Sequence, residues 1–187
     1  MNRHLRWTQL CRALGATNNV DSSYRQLVHL YQTPVRAYHN LLHIEHCLGE
    51  YDAVHSTATE PVAVEAAIWF HDAVYDSKAG DNEEKSASMG DEILAGMGVP
   101  AKLRATVRKL IIHTKHTAVP RTKDGKIIVD IDLAILGSSP SGFARYERNI
   151  REEYRWVPES AFWPKRAGFL QTLLKRKRIF STDFFFR

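Results

Sequence analysis

Apolar positions recur along this chain at spacings of three and four residues, the period of helices with one buried face. Leu5, Leu10 and Leu14 mark a short first helix that stops near Gly15. A second has Tyr24, Leu27, Val28 and Tyr31 as its apolar face, Asp21 and Ser22 as candidate caps, and Pro34 beyond its end. A third is predicted from about Val35 to Val54. Leu41, Leu48 and Tyr51 form its apolar face, while His39, His43, His46 and Glu50 recur at helical spacing on another side. A fourth opens at Thr59-Glu60-Pro61, with proline tolerated in the first turn, and runs to Phe70. It is apolar nearly all round, which assigns it to the centre of the fold.

Asp81, with Glu84 three residues on, resembles a capping box for a fifth helix that ends near Gly98. Pro100 starts a sixth, with Leu103, Val107, Leu110, Ile111 and Thr114 inward and His113 and His116 near its end. Asp124-Gly125 reads as a turn. Ile127-Ile128-Val129 admits a strand, but the helical surroundings favour a short lead-in and then a helix that carries Asp132 and stops at Gly137. Ser139-Pro140 caps another helix through Tyr154, and Pro158 separates it from a last amphipathic helix through Arg178. Repeats, low-complexity tracts and linkers are lacking. At 187 residues the chain can bury a core without disulfide staples, so the pattern predicts one all-α domain over residues 1–187.

Charge changes this picture little. The formal net charge is +5, partly concentrated in Lys175-Arg176-Lys177-Arg178, most simply a solvated helix end. The balance favours anionic ligands but is too small and too localised to argue for nucleic acid. Cys11 and Cys47 provide no disulfide framework, and free thiols point to a reducing cytoplasm. The N-terminal residues through Trp7 lack the apolar core of a secretory signal, and no stretch approaches the length of a membrane span. No GxxxxGK[ST] loop, GxGxxG turn or GxSxG elbow is present.

The chemistry concentrates at His71-Asp72, which follows the apolar run Ala66-Ala67-Ile68-Trp69-Phe70. An imidazole and a carboxylate at the edge of a buried segment are costly without compensation. A divalent cation supplies it, since both groups are ligands for one. Upstream lies Tyr38-His39-Asn40-Leu41-Leu42-His43-Ile44-Glu45-His46, and downstream Asp130-Ile131-Asp132. Two imidazoles and two carboxylates suit Mn, Fe, Co, Ni or Zn, and Mg less well because it prefers oxygen.

Five segments together resemble the HD superfamily of metal-dependent phosphohydrolases, and more narrowly its small-protein branch of predicted metal-dependent HD phosphohydrolases. They are Tyr38 to Ile44, Ala67 to Asp72, Asn82 to Ala87, Asp130 to Gly137 and Ile150 to Pro158. The resemblance implies a helical bundle with a metal site between central helices. It implies His43, His71, Asp72 and Asp132 as metal ligands, with His39 the alternative to His43 and Asp130 the competitor of Asp132. It further implies hydrolysis of a nucleotide-like or other small anionic phosphoester by metal-activated water. Glu83 would then orient that water or act as general acid or base, and His39 would serve catalysis or bind phosphate. Lys115 and His116 would contact phosphate, and Arg151 and Tyr154 repeat the family's C-terminal pattern on the substrate side. A homodimer is compatible with the family. Competing expectations are a diiron oxygenase, with His39 or His116 as an added ligand, and a non-catalytic nucleotide-sensing module.

Overall fold

The tightest constraint on the fold is the ten-residue helix Pro61–Phe70, in which Ala63, Val64, Ala66, Ala67, Ile68, Trp69 and Phe70 are all buried. A helix this apolar cannot face water, so its neighbours must enclose it. The computed structural model describes residues 2–186 and has helices on every side of it. In chain order they are α1 (Arg3–Ala13), α2 (Val20–Tyr31), α3 (Leu41–Val54), α4 (Pro61–Phe70), α5 (Asn82–Gly96), α6 (Ala101–His113), α7 (Lys123–Leu133), α8 (Pro140–Glu153) and α9 (Glu159–Leu174). No strand occurs among the described residues, and the fold is all-α.

Helix α4 packs against α1, α3, α5, α6 and α7, and both of its ends are tied by other elements. At its N-terminus the Asp124 carboxylate of α7 accepts from the amides of Thr59 (2.7 Å) and Glu60 (2.8 Å), a cap supplied from another helix. At its C-terminus the Tyr31 hydroxyl of α2 donates to the Trp69 carbonyl at 3.0 Å. Trp7 of α1 meets Trp69 and Phe70 edge to face, with centroids 5.4 and 5.8 Å apart. The residues that follow Phe70 are therefore held at a fixed point. A small second cluster of Tyr146, Ile150 and Phe162 joins α8 and α9, with Tyr38, Ile135 and Tyr154 against it.

Several expectations are corrected. The third helix begins at Leu41 rather than near Val35, because the Asn40 side chain caps it by accepting from the Leu42 amide at 2.9 Å. Residues 35–40 are not helical, so His39 does not share a helical stripe with His43 and His46. Asp81 occupies the N-cap position of α5 without capping it, and pairs instead with Lys85 at 2.8 Å. Asp124-Gly125 is the first turn of α7 rather than a loop, with Thr122 accepting from the Gly125 amide. A side chain at Gly125 would lie 2.7 Å from Pro120 and 2.9 Å from His113, so lack of space explains that glycine. Ile127, Ile128 and Ile131 are all buried, and the β-branched run belongs to a helix enclosed on most sides. Helix α9 ends at Leu174, so residues 175–178 lie past it, and the chain then folds back until Phe180 and Phe185 pack on the main core.

No single helix among the described residues is long and apolar enough to cross a membrane.

Candidate metal centre

Three helices deliver four side chains to one point. His43 lies in the first turn of α3, His71 at the C-cap of α4 with Asp72 after it, and Asp132 in the last turn of α7. His43 Nε2 and His71 Nε2 are 3.0 Å apart. Asp72 Oδ2 is 3.3 Å from the first and 3.1 Å from the second. Asp132 Oδ1 lies 3.3 and 3.5 Å from the same two nitrogens. Ligands about 2.1 Å from one shared ion stand roughly 3.0–3.4 Å from one another at octahedral or tetrahedral angles. Four of the five separations fall in that range, and His43, Cys47, His71 and Asp132 lie close enough together to hold a metal ion, with Asp72 beside them.

The hydrogen bonds around the cluster turn its donor atoms inward. His71 Nδ1 lies 2.9 Å from the Ile68 carbonyl, which can only accept; the hydrogen is therefore on Nδ1, and the Nε2 lone pair faces the cluster. His116 Nε2 is 2.9 Å from Asp132 Oδ2, which leaves Oδ1 toward the two imidazoles. Asp72 Oδ2 is buried with no hydrogen-bond partner among the described residues, an orphaned acceptor of the kind a cation satisfies. Burial disfavours charge on all four groups, and the contacts among them oppose that effect. His71 is pushed well above the usual imidazole range by Asp72 and Asp132, and His43 likewise by Cys47, Tyr38 and the same carboxylates. Asp72 is held well below the usual carboxylate range by His71, His39 and His43, and Asp132 by His116, His43 and His71.

Asp130, the competitor for the distal position, points elsewhere. It is fully buried, and its carboxylate accepts from the Ser181 amide (2.8 Å), the Thr182 amide (2.7 Å) and the Thr182 hydroxyl (2.7 Å). It anchors the C-terminal segment, and Asp132 is the carboxylate beside the imidazoles.

Beside the cluster opens a cavity of about 630 Å³. His39, Asp72, Glu83, Lys115, His116 and Asp132 all line it, while His43 and His71 are buried beneath. His39 is gripped by the buried Glu153, which accepts from His39 Nδ1 at 2.6 Å and from the amides of Tyr38 (2.7 Å) and His39 (2.9 Å). Lys115 donates to Glu84 (2.5 Å) and to the Gly80 carbonyl (3.0 Å), so at the cavity rim it is already ion-paired. His116 holds a left-handed backbone, φ +56°, which turns its ring back onto Asp132. Arg151 is a correction. Its guanidinium donates to the carbonyls of Tyr154 (2.7 Å) and Val157 (3.0 Å), tying off the end of α8, and it does not line the cavity.

Three residues of this region escape sequence reasoning. Glu153 lies inside the fifth resembling segment, but nothing in its spacing marks a glutamate that reaches back to His39. Arg36 is buried and donates to the carbonyls of His39 (3.1 Å), Asp72 (2.6 Å) and Ala73 (2.9 Å), joining the segment before α3 to the segment after α4. Cys47 reads as an ordinary thiol, yet its sulfur belongs to the same group of potential ligand atoms as His43, His71 and Asp132, all within 4.8 Å of one another. The Sγ is 3.8 and 3.7 Å from the two ring nitrogens of His43. At 3.7 Å from His43 Nε2 the Sγ is farther than Asp72 Oδ2, at 3.3 Å, but close enough to belong to the same group.

Comparison with family models, with curated proteins and with solved structures finds no match for this chain.

Proposed function

We propose that the chain is a divalent-metal-dependent phosphohydrolase of the HD type that acts on a small phosphoester. The observation that carries this reading is the convergence of two imidazoles and two carboxylates at the floor of a cavity also lined by His39, His116 and Lys115. His43, His71, Asp72 and Asp132 would hold the ion. A divalent cation there supplies neutralising charge for a phosphoryl group and brings water nearer to ionisation at neutral pH.

The remaining work falls to this chain's own groups. His39 is held at the cavity wall by the Glu153 carboxylate, 2.6 Å from its Nδ1. Held so, the ring is the group placed to pass a proton to the oxygen that leaves phosphorus as the P–O bond breaks. Glu83 shares the cavity and is the carboxylate available to orient a water or accept its proton as the new O–P bond forms. The Tyr38 hydroxyl is buried and has no partner among the described residues, and burial pushes its pKa far up, so it remains a donor for a substrate oxygen. His116 orients Asp132 and Lys115 adds positive charge at the rim, with Glu84 beside it. This is catalysis by positioning and electrostatics.

The test is an activity screen of protein reconstituted separately with Mn, Fe, Co, Ni, Zn and Mg over nucleotides, cyclic nucleotides and sugar phosphates, with metal content measured in parallel. Phosphate release that EDTA abolishes and Mn or a neighbouring transition metal restores is expected. Iron-dependent oxygen consumption with no phosphoester turned over would replace this reading with the oxygenase. Nucleotide binding without turnover by any metal form would replace it with the sensor.

A further inference from the structure

Basic side chains line the cavity on several sides, and all but one of them are already matched by a carboxylate. His39 lies against Glu153 (2.6 Å), His116 against Asp132 (2.9 Å) and Lys115 against Glu84 (2.5 Å). Arg166 is held by Glu147, with nitrogen–oxygen distances of 2.6, 3.1 and 3.2 Å. Lys165 lines the same cavity, is exposed, and makes no ion pair among the described residues.

Its place in the fold sets it apart from the metal ligands. Phe162, Lys165, Arg166 and Phe169 recur at spacings of three and four along α9, and all four line the cavity, so this face of the helix is one of its walls. The Arg166 guanidinium lies 5.0 Å from the Tyr146 centroid; Tyr146 meets Tyr38 at 4.6 Å, and Tyr38 meets His43 at 4.8 Å. Two aromatic rings thus stand between Arg166 and the imidazoles, and Lys165 is the next residue on the same helix. An anion that pairs with Lys115 or Arg166 must compete with a carboxylate already in place, whereas Lys165 accepts one without losing a partner.

We propose that Lys165 is a specificity-determining residue, which selects substrates that carry a second anionic group, a phosphate or a carboxylate, on the part away from the reacting phosphoryl. This rests on the phosphohydrolase reading for the end of the substrate that meets the metal ligands. It narrows the small phosphoester to one with negative charge at both ends, the first toward His43, His71, Asp72 and Asp132 and the second toward α9. Phosphoesters with an uncharged far end leave the Lys165 ammonium to water.

Two pairs of probes, each differing in one anionic group, test the idea: fructose 6-phosphate against fructose 1,6-bisphosphate, and glucose 6-phosphate against 6-phosphogluconate. Dissociation constants come from calorimetry on EDTA-treated protein, and turnover from initial rates on Mn²⁺-loaded protein. One ion pair at a cavity wall is worth about five-fold in affinity, so the doubly anionic member of at least one pair should bind about five-fold tighter, and that advantage should shrink as salt is added. The pair that shows it identifies the second group as phosphate or carboxylate. In Lys165→Gln, an exposed substitution that leaves the core untouched, the advantage should fall to about two-fold or less while the singly anionic probes bind as before. Lys177→Gln makes the same change in net charge outside the cavity and should keep the advantage in full. Equal affinities within both pairs, an advantage that survives Lys165→Gln, or an equal loss in Lys177→Gln would overturn the proposal. Turnover of phosphoesters with no preference for a second anion would remove the role of Lys165 and leave the hydrolytic reading standing. A preference that Lys165→Gln abolishes, with no turnover by any metal form, would uphold that role and remove the hydrolytic reading.

Discussion

At the scale of single residues, the proposed site separates groups that would hold an ion from groups that orient those holders. Replacing Asp72 with Ala removes a carboxylate 3.1–3.3 Å from both imidazoles, and should abolish stoichiometric metal binding measured by elemental analysis after dialysis. Cys47→Ser should keep the metal, since Asp72 Oδ2 lies nearer His43 Nε2 (3.3 Å) than the sulfur does (3.7 Å); loss of metal in that variant would make Cys47 a ligand. His116→Ala should retain the metal but weaken its affinity about 10–100-fold, the usual effect of removing a partner that orients a ligand. Asp130→Ala behaves differently. It strands the Ser181 and Thr182 amides and the Thr182 hydroxyl, and should cost about 2–3 kcal/mol of stability, seen as a lower denaturation midpoint. An unchanged midpoint would show that the C-terminal segment is held by Phe180 and Phe185 alone.

Among the elements, the link that matters most for the cavity runs from α8 to the segment before α3 through Glu153. Burial raises the pKa of this carboxyl, but the bonds from His39 and from the Tyr38 and His39 amides outweigh it and hold it below the usual range. A depressed carboxylate contributes stability that is present above its unfolded pKa of about 4.3 and is lost as pH falls through the folded one. Glu153→Gln should therefore lower stability by about 1–3 kcal/mol at pH 7, and that difference should shrink below about pH 4 in urea denaturation curves. A gap that is constant with pH would mean that the glutamate acts by packing. This element pair also shows where sequence reading stops. Most helices were legible in apolar spacing or in their capping residues, α7 only through its helical surroundings, and His71-Asp72 was legible because charge ends a run of buried side chains. The start of α3 was not, because an asparagine cap and a buried Arg36 outcompete local periodicity over residues 35–40. Nor was Glu153, whose partner is 114 positions away, or the choice between Asp130 and Asp132, two residues with the same local pattern and opposite surroundings.

For the whole molecule, a metal held by residues on α3, α7 and the end of α4 would be a cross-link between central elements. An ion that binds the folded chain and not the unfolded one stabilises it by about 2.7 kcal/mol at a hundred-fold excess over its Kd. Mn²⁺ should raise the thermal midpoint in proportion to the logarithm of its concentration, EDTA should lower it, and Asp72→Ala should show neither response. In that variant the metal-free protein is expected to be no less stable than the metal-free parent, since one of two neighbouring carboxylates is gone. A midpoint in the unaltered protein that ignores both Mn²⁺ and EDTA would argue against a site that spans these helices.

The anchoring of Asp130 also sets an order of events during synthesis. The residues that satisfy its carboxylate are Ser181 and Thr182, 51 and 52 positions later in the chain. Until the ribosome has released them, burying Asp130 leaves an ionised carboxylate without donors, which opposes the docking of α7. Asp132 is carried on the same helix, two residues on. His43, His71 and Asp72 can be in place before residues 181 and 182 are made, but Asp132 is seated only after them, so a metal held by all four would be captured only once those two residues have docked.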